Sequence, residues 1–215
     1  EQNMVDVAAG LALTGHVAFT GSFAVFGTGR AYDQIRNTVC YSGLDVKIAP
    51  TRAGISVGPD GGSHQMLEDV SLMRGLPGMR VLVPADYAAA RAAIRLAAAT
   101  PGPVYVRMGR ASVPCVYDDD VELEMGRAYV LREGADVTIV ANGVEIREAL
   151  AAADALAGQY GQPCREYNVV LAKAIAGTGE GSDPSQPSTN RSDTKDAWQA
   201  YKMAYAGPDA RPDGY

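Results

Sequence analysis

Apolar and polar residues follow two periods along this chain, and the switches between them lay out its elements. Residues 3–14 place Met4, Val5, Val7, Ala8, Leu11 and Leu13 at helical spacing, and the run HVAFTG at 16–21, entered through Gly15, predicts a strand. A second helical stretch over 30–40 leads into LDVKIAP, in which Val46 and Ile48 predict a buried strand closed by Pro50. TRAGISVGPDGGSHQ is too rich in glycine to be regular. Beyond it QMLEDVSLMRGL reads as helix, MRVLVPA as strand, DYAAARAAIRLAAAT as an alanine-rich helix that Asp86 is placed to cap, and PVYVRM as strand. Strands alternating with helices in this way predict parallel βαβ units, hence an α/β class with a doubly wound, mostly parallel sheet.

After Met108 the pattern loosens over 109–135 and then restarts, with DVTIVANG as a strand and VEIREALAAADALAGQYG as a helix. The expected organisation is a first domain over 1–115, a linker over 116–135, the start of a second α/β domain over 136–160, and a divergent, largely disordered tail over 161–215. Within that tail GTGEGSDPSQPSTNRSDTK, residues 177–195, has too little apolar content to offset its chain entropy. At the other end Glu1 stands directly against an apolar-periodic run, so the chain reads as one that starts inside a domain.

Composition narrows the class. The 215 residues are 47% hydrophobic and 20% charged, and 25 acidic against 19 basic side chains give a net charge of -6 with no long basic run. That argues against a nucleic-acid surface. No apolar stretch reaches the ~20 residues that span a bilayer, and no charged segment with an apolar core behind it marks secretion, so a cytoplasmic protein without membrane contact is expected. Cys40, Cys115 and Cys164 are odd in number and far apart, which suits a reducing compartment and structural thiols rather than a zinc site or a disulfide framework.

Three stretches carry candidate chemistry. In SVGPDGGSHQ glycines free the backbone to approach a ligand, while Asp60 can fix a hydroxyl and His64 can hydrogen-bond a polar substrate or move a proton near neutral pH. By spacing alone the same residues make either a ligand loop or a surface turn; the loop is no Walker motif, lacking Gly-Lys-Ser/Thr. FTGSFAVF gathers Phe19, Phe23 and Phe26 in one strand-to-helix connection, which serves either core packing or a stacked planar heteroaromatic ligand. Arg107 and Arg110 follow the last strand of the first domain, on the carboxyl side where open α/β sheets bind ligands. They suit a phosphate, a carboxylate or a surface ion pair.

Five motifs in order, EQNM at 1–4, FAVFGTGRAYDQIR at 23–36, RAGISVGPDGGSHQMLED at 52–69, MRVLVPAD at 79–86 and VYVRMGR at 104–110, resemble the pyrimidine-binding domain of transketolase, as found in the C-terminal subunit of split transketolases. The resemblance covers about 1–156 and extends to the deoxyxylulose-5-phosphate synthase family, whose loop likewise reads RAG. It implies a thiamine-diphosphate enzyme part that transfers a two-carbon ketol unit between phosphorylated sugars in the pentose phosphate pathway. An N-terminal subunit would hold the diphosphate and Mg2+ in a dimer-type assembly. Deoxyxylulose-phosphate synthase chemistry and a non-catalytic fragment are the alternatives.

By the same resemblance Glu1 is the carboxylate set against the aminopyrimidine, where a raised pKa in a partly dry pocket would favour sharing a proton. Phe23 and Phe26 match the rings that stack on the pyrimidine. Asp60 and His64 match the loop contacting ketose hydroxyls, Arg52 stands where many transketolases carry a substrate-contacting histidine, and Arg110 matches the arginine reaching the sugar phosphate. Pro59 replaces a usual acidic residue, and the family places further strands before the EQN element.

Overall fold

The computed structural model describes residues 1–134, 137–160 and 164–168, with side chains only as far as residue 157. Helix α1 (Gln2–Leu13) buries Val5 and Ala8 of its predicted apolar face together with Ala9, leaves Val7, Leu11 and Leu13 of that face exposed, and leads through Gly15, at φ +86°, into strand β1 (Ala18–Thr20). Two π-helical segments follow: Gln34–Cys40 lies within the helical stretch predicted over 30–40, and Val25–Arg30 lies in the connection before it. In them the Ala31 N–H returns to the Phe26 carbonyl and the Tyr41 N–H to that of Arg36, rings one residue wider than those of an α-helix.

Strand β2 (Val46–Ile48), a 3₁₀ turn (Gly58–Asp60), helix α2 (Asp69–Arg74), strand β3 (Arg80–Leu82), helix α3 (Tyr87–Ala99) and strand β4 (Val104–Val106) complete the first layer set. The strands form a four-stranded, wholly parallel sheet in the order β1-β2-β4-β3. This is the α/β architecture that the alternating pattern predicts. Asp86 caps α3 as expected, its Oδ1 accepting from the Ala89 N–H at 2.8 Å, while its Oδ2 accepts from the Val116 and Tyr117 N–H groups and so fixes the chain beyond β4.

Val5, Ile35, Val39, Val46, Ile48, Val81 and Tyr105 share one core between α1, the second π-helical segment and the sheet; Leu82, Ala93, Ala97, Val104 and Val106 form another beneath α3. Lys47, wholly buried in the central strand β2, is satisfied by Asp45 and by the Thr100 and Gly102 carbonyls at 2.6 and 2.7 Å.

A second sheet, in the order β5-β7-β6, combines β5 (Tyr129–Arg132), β6 (Val137–Ala141) and β7 (Cys164–Asn168), with helix α4 (Glu145–Tyr160) between the last two. The strand and helix predicted over 136–161 are present. The pattern does not anticipate β5, which falls in the stretch expected as linker, or β7, which falls at the start of the stretch expected as tail. In β7 (CREYN) adjacent polar residues, Arg165 and Glu166, break the alternation that marks a half-buried strand. Residues 177–195 lie outside the described residues. Among the described residues no helix is long and apolar enough to cross a membrane.

Candidate functional site

Beyond their last paired residues the strands are stitched into a continuous platform. The Thr51 N–H donates to the Ser22 carbonyl and the Ala24 N–H to that of Thr51, so the chain leaving β1 runs beside the chain leaving β2. Ala53 and Arg52 then donate to Met108 and Gly109, which extend β4. These contacts gather the loops at the carboxyl ends of β1, β2 and β4, where open α/β sheets place ligands. Helix α1 runs back against β1, so its first turn reaches the same end.

Glu1 sits there. Ser22 Oγ donates to its Oε1 at 3.1 Å and Arg30 Nη1 to its Oε2 at 3.0 Å. The carboxyl is held below its ordinary range, first by the Ser22 hydrogen bond and then, against the opposing effect of burial, by Arg30. The expectation of a raised pKa is therefore corrected: two donors, one of them a cation, favour the anion more than partial desolvation disfavours it.

Phe23 and Phe26 lie 6.0 Å apart between centroids with planes 17° from parallel. His64 stands edge-on to both rings, at 5.6 and 5.3 Å, and its Nδ1 lies 2.9 Å from Ser63 Oγ. A guanidinium covers each ring: Arg52 at 4.2 Å over Phe23 and Arg30 at 4.4 Å over Phe26. Phe19 does not join them; it lies on β1 and is 44% exposed.

Arg52 adopts φ +63°, the one positive value among the non-glycine residues described, and this turns its side chain over the Phe23 ring and toward Asp60. Asp60 Oδ2 lies 3.5 Å from Arg52 Nε and 3.7 Å from Arg110 Nε, an ion-paired triad linking the end of β2, the 3₁₀ turn and the end of β4. Arg52 Nε and Asp60 Oδ2 are both buried, and they face each other as an ion pair without a hydrogen bond between them. Arg107 is deployed otherwise. Its Nε donates to Asp69 Oδ2 at 2.7 Å, and Tyr105 OH donates to the same oxygen at 2.5 Å. A Cβ on Gly54, at φ +80°, would meet Arg107 Nη2 at 3.3 Å, so this residue underlies the RAG turn.

The structure thus brings together Glu1, Phe23, Phe26, Arg52, Asp60, His64 and Arg110 in one neighbourhood and adds Ser22 and Arg30, which the sequence reading does not single out. A serine before the aromatic pair and an arginine four residues after its second ring are the signals that point to them. His16 lies apart, exposed beside Thr14. Cys40 is buried and Cys115 exposed; the side chain of Cys164 lies outside the described residues. Among the described residues no three His, Cys, Asp or Glu side chains cluster to hold a metal ion.

Comparison with known proteins converges on one family. The family model "Transketolase, pyrimidine binding domain" matches residues 1–116. A putative transketolase C-terminal section from Methanocaldococcus jannaschii is 49% identical over 73% of this chain and 50% of its own length. A 6-deoxy-6-sulfo-D-fructose transketolase subunit from a Clostridium species is 46% identical over 74% of this chain and 49% of its own length. The chain thus spans about half the length of these relatives. Among solved structures, a split gene transketolase described as an inactive beta4 tetramer matches with a TM-score of 0.74 and 49% identity over 80% of this chain and 54% of that one. A transketolase mutant from Pichia stipitis matches with 0.70 and 26% over 79% of this chain and 25% of that one. The chain belongs to the transketolase family and carries that family's pyrimidine-binding domain.

Proposed function

We propose that this chain forms the pyrimidine half of a thiamine-diphosphate site in a split transketolase that transfers a two-carbon ketol unit between phosphorylated sugars. The observation that carries the reading is the placement of an ionised Glu1 beside two near-parallel aromatic rings at the carboxyl end of the sheet. These residues fit the cofactor. Phe23 and Phe26 offer faces to a planar heteroaromatic ring, and the Glu1 carboxylate is an acceptor for a proton on a ring nitrogen. Thiamine diphosphate, when bound, supplies a thiazolium carbon able to attack a ketose carbonyl. Magnesium and the diphosphate are assigned to an N-terminal subunit, and the assembly to a dimer-type arrangement.

The chain's own residues bind and orient. Glu1, fixed by Ser22 and Arg30, holds or shares a proton at its carboxylate oxygens. Asp60 and His64 serve the ketose hydroxyls, with Arg52 holding Asp60 in place. Arg110, tethered to Asp60, provides a charge-assisted contact for the sugar phosphate. The first domain is taken as 1–115 and the second as starting at 136, in a cytoplasmic pentose-phosphate enzyme.

Co-purification of this protein with its diphosphate-binding partner, followed by calorimetric titration with thiamine diphosphate and magnesium and an assay on a phosphorylated ketose, tests the proposal. The pair should bind the cofactor and transfer ketol units, and the 215-residue chain alone should not. Turnover by the isolated chain would overturn the split-site assignment, and an assembled pair that binds no cofactor would overturn the function.

A further inference from the structure

Arg30 is tied to the proposed pyrimidine face at three points. Its Nη1 donates to Glu1 Oε2, its guanidinium carbon lies 4.4 Å over the Phe26 ring, and its main-chain carbonyl accepts from Gln2 Nε2 at 3.3 Å. The π-helical backbone sets this up. Side chains on a helix lean toward its N-terminus, so Arg30, four residues after Phe26, lies back over that ring, and the start of α1 lies within its reach. One guanidinium therefore fixes a carboxylate from α1 relative to a ring from the π-helical segment.

We infer that Arg30 is a positioning residue of the pyrimidine site, holding the Glu1 carboxylate against the Phe26 face so that a planar N–H donor lying on the ring meets a preformed acceptor. This inference rests on the proposed function. Arg30 is the charged side chain acting on Glu1, with Ser22 as a neutral donor. Removing the guanidinium takes away one of the groups that keep the carboxyl ionised and the only clamp on Oε2 among the described contacts. Lysine would keep the charge without the planar fork, and methionine would keep the aliphatic stem alone.

The test uses Arg30→Met and Arg30→Lys in the full-length chain assembled with its partner, with thiamine diphosphate as the probe and calorimetric affinity followed from about pH 5 to 8. The Arg30 side chain is 57% exposed, so neither change empties the core. Arg30→Met should weaken binding about tenfold and move the acid limb of the affinity curve to higher pH. Arg30→Lys should restore the acid limb without restoring full affinity. Wild-type affinity and an unmoved limb in Arg30→Met would overturn the inference, as would weaker binding with an unmoved limb, which lost packing alone would give. A wild-type assembly that binds no thiamine diphosphate would instead overturn the function on which the inference rests.

Discussion

Arg107 grips Asp69 across the sheet end, Nε to Oδ2 at 2.7 Å and Nη2 to Oδ1 at 3.4 Å, and the carboxylate between them is wholly buried. Asp69 also accepts from the buried Tyr105 hydroxyl, whose pKa is pushed well up by burial and then by the Asp69 charge. Asp69→Ala removes the buried carboxylate that the Arg107 guanidinium and the Tyr105 phenol share. It should cost about 3 to 5 kcal/mol in urea unfolding of the full-length protein, the scale for breaking a buried ion pair from one side. Asp69→Asn, which keeps an acceptor oxygen, should cost less.

Phe23→Ala in the assembled protein should weaken thiamine diphosphate by roughly 1 to 3 kcal/mol, the loss expected for an aromatic stack with its buried area. Unchanged affinity in titration calorimetry would remove Phe23 from the cofactor face and leave it as the platform on which Arg52 rests.

His64 and Arg110 should separate by kinetics. His64→Ala should lower kcat on a phosphorylated ketose and leave cofactor affinity nearly intact. Arg110→Ala should mainly raise KM for phosphorylated over unphosphorylated sugars, because a guanidinium–phosphate contact is charge-assisted and bidentate-capable. Equal losses on both kinds of sugar would exclude Arg110 from phosphate binding.

Burial pushes the Cys40 thiol up to about 12 from an ordinary value of 9.0. The native state therefore keeps its proton after the unfolded chain has lost its own. The stability linked to Cys40 is fully present below pH 9 and drains away as pH rises from 9 toward 12, with a slope of at most about 1.4 kcal/mol per pH unit. Cys40→Ala should flatten that alkaline slope. Site-resolved alkylation of the native protein near pH 8 should modify the exposed Cys115 and spare Cys40 until unfolding. Rapid native labelling of Cys40 would contradict its burial.

The alternation of strands with helices and the α3 cap are legible in the sequence because they follow from side-chain periodicity and a single well-placed carboxylate; Asp86, Ile48 and Val106 behave as their positions dictate. The π-helical geometry at Val25–Arg30 is not legible, since hydrogen-bond ring size leaves the apolar residues of the stretch unchanged in kind. Helix α2 is shorter than QMLEDVSLMRGL suggests because Met66 pairs through its backbone with Gly54 instead of entering the helix. For the site, residue types and motif order identify Glu1, Phe23, Phe26, Asp60, His64 and Arg110 as candidates, but the ionisation of Glu1 depends on Ser22 and Arg30. Those partners meet it only after the chain has folded back from β1.

The wide turns at Val25–Arg30 and Gln34–Cys40 make the spacing between motif residues a mechanical quantity. In an α-helix each residue advances the side-chain direction by about 100°, so a single deletion that tightened the first segment would swing every later residue around the axis by roughly that angle. Arg30 would then leave the Phe26 ring and Glu1 together, while Ile35 and Val39, now in the core, would face away from it. The extra residue thus acts as a phase setter, keeping one stretch of chain in step with two unlike surfaces: a packed interior on one side and a carboxylate and ring on the other.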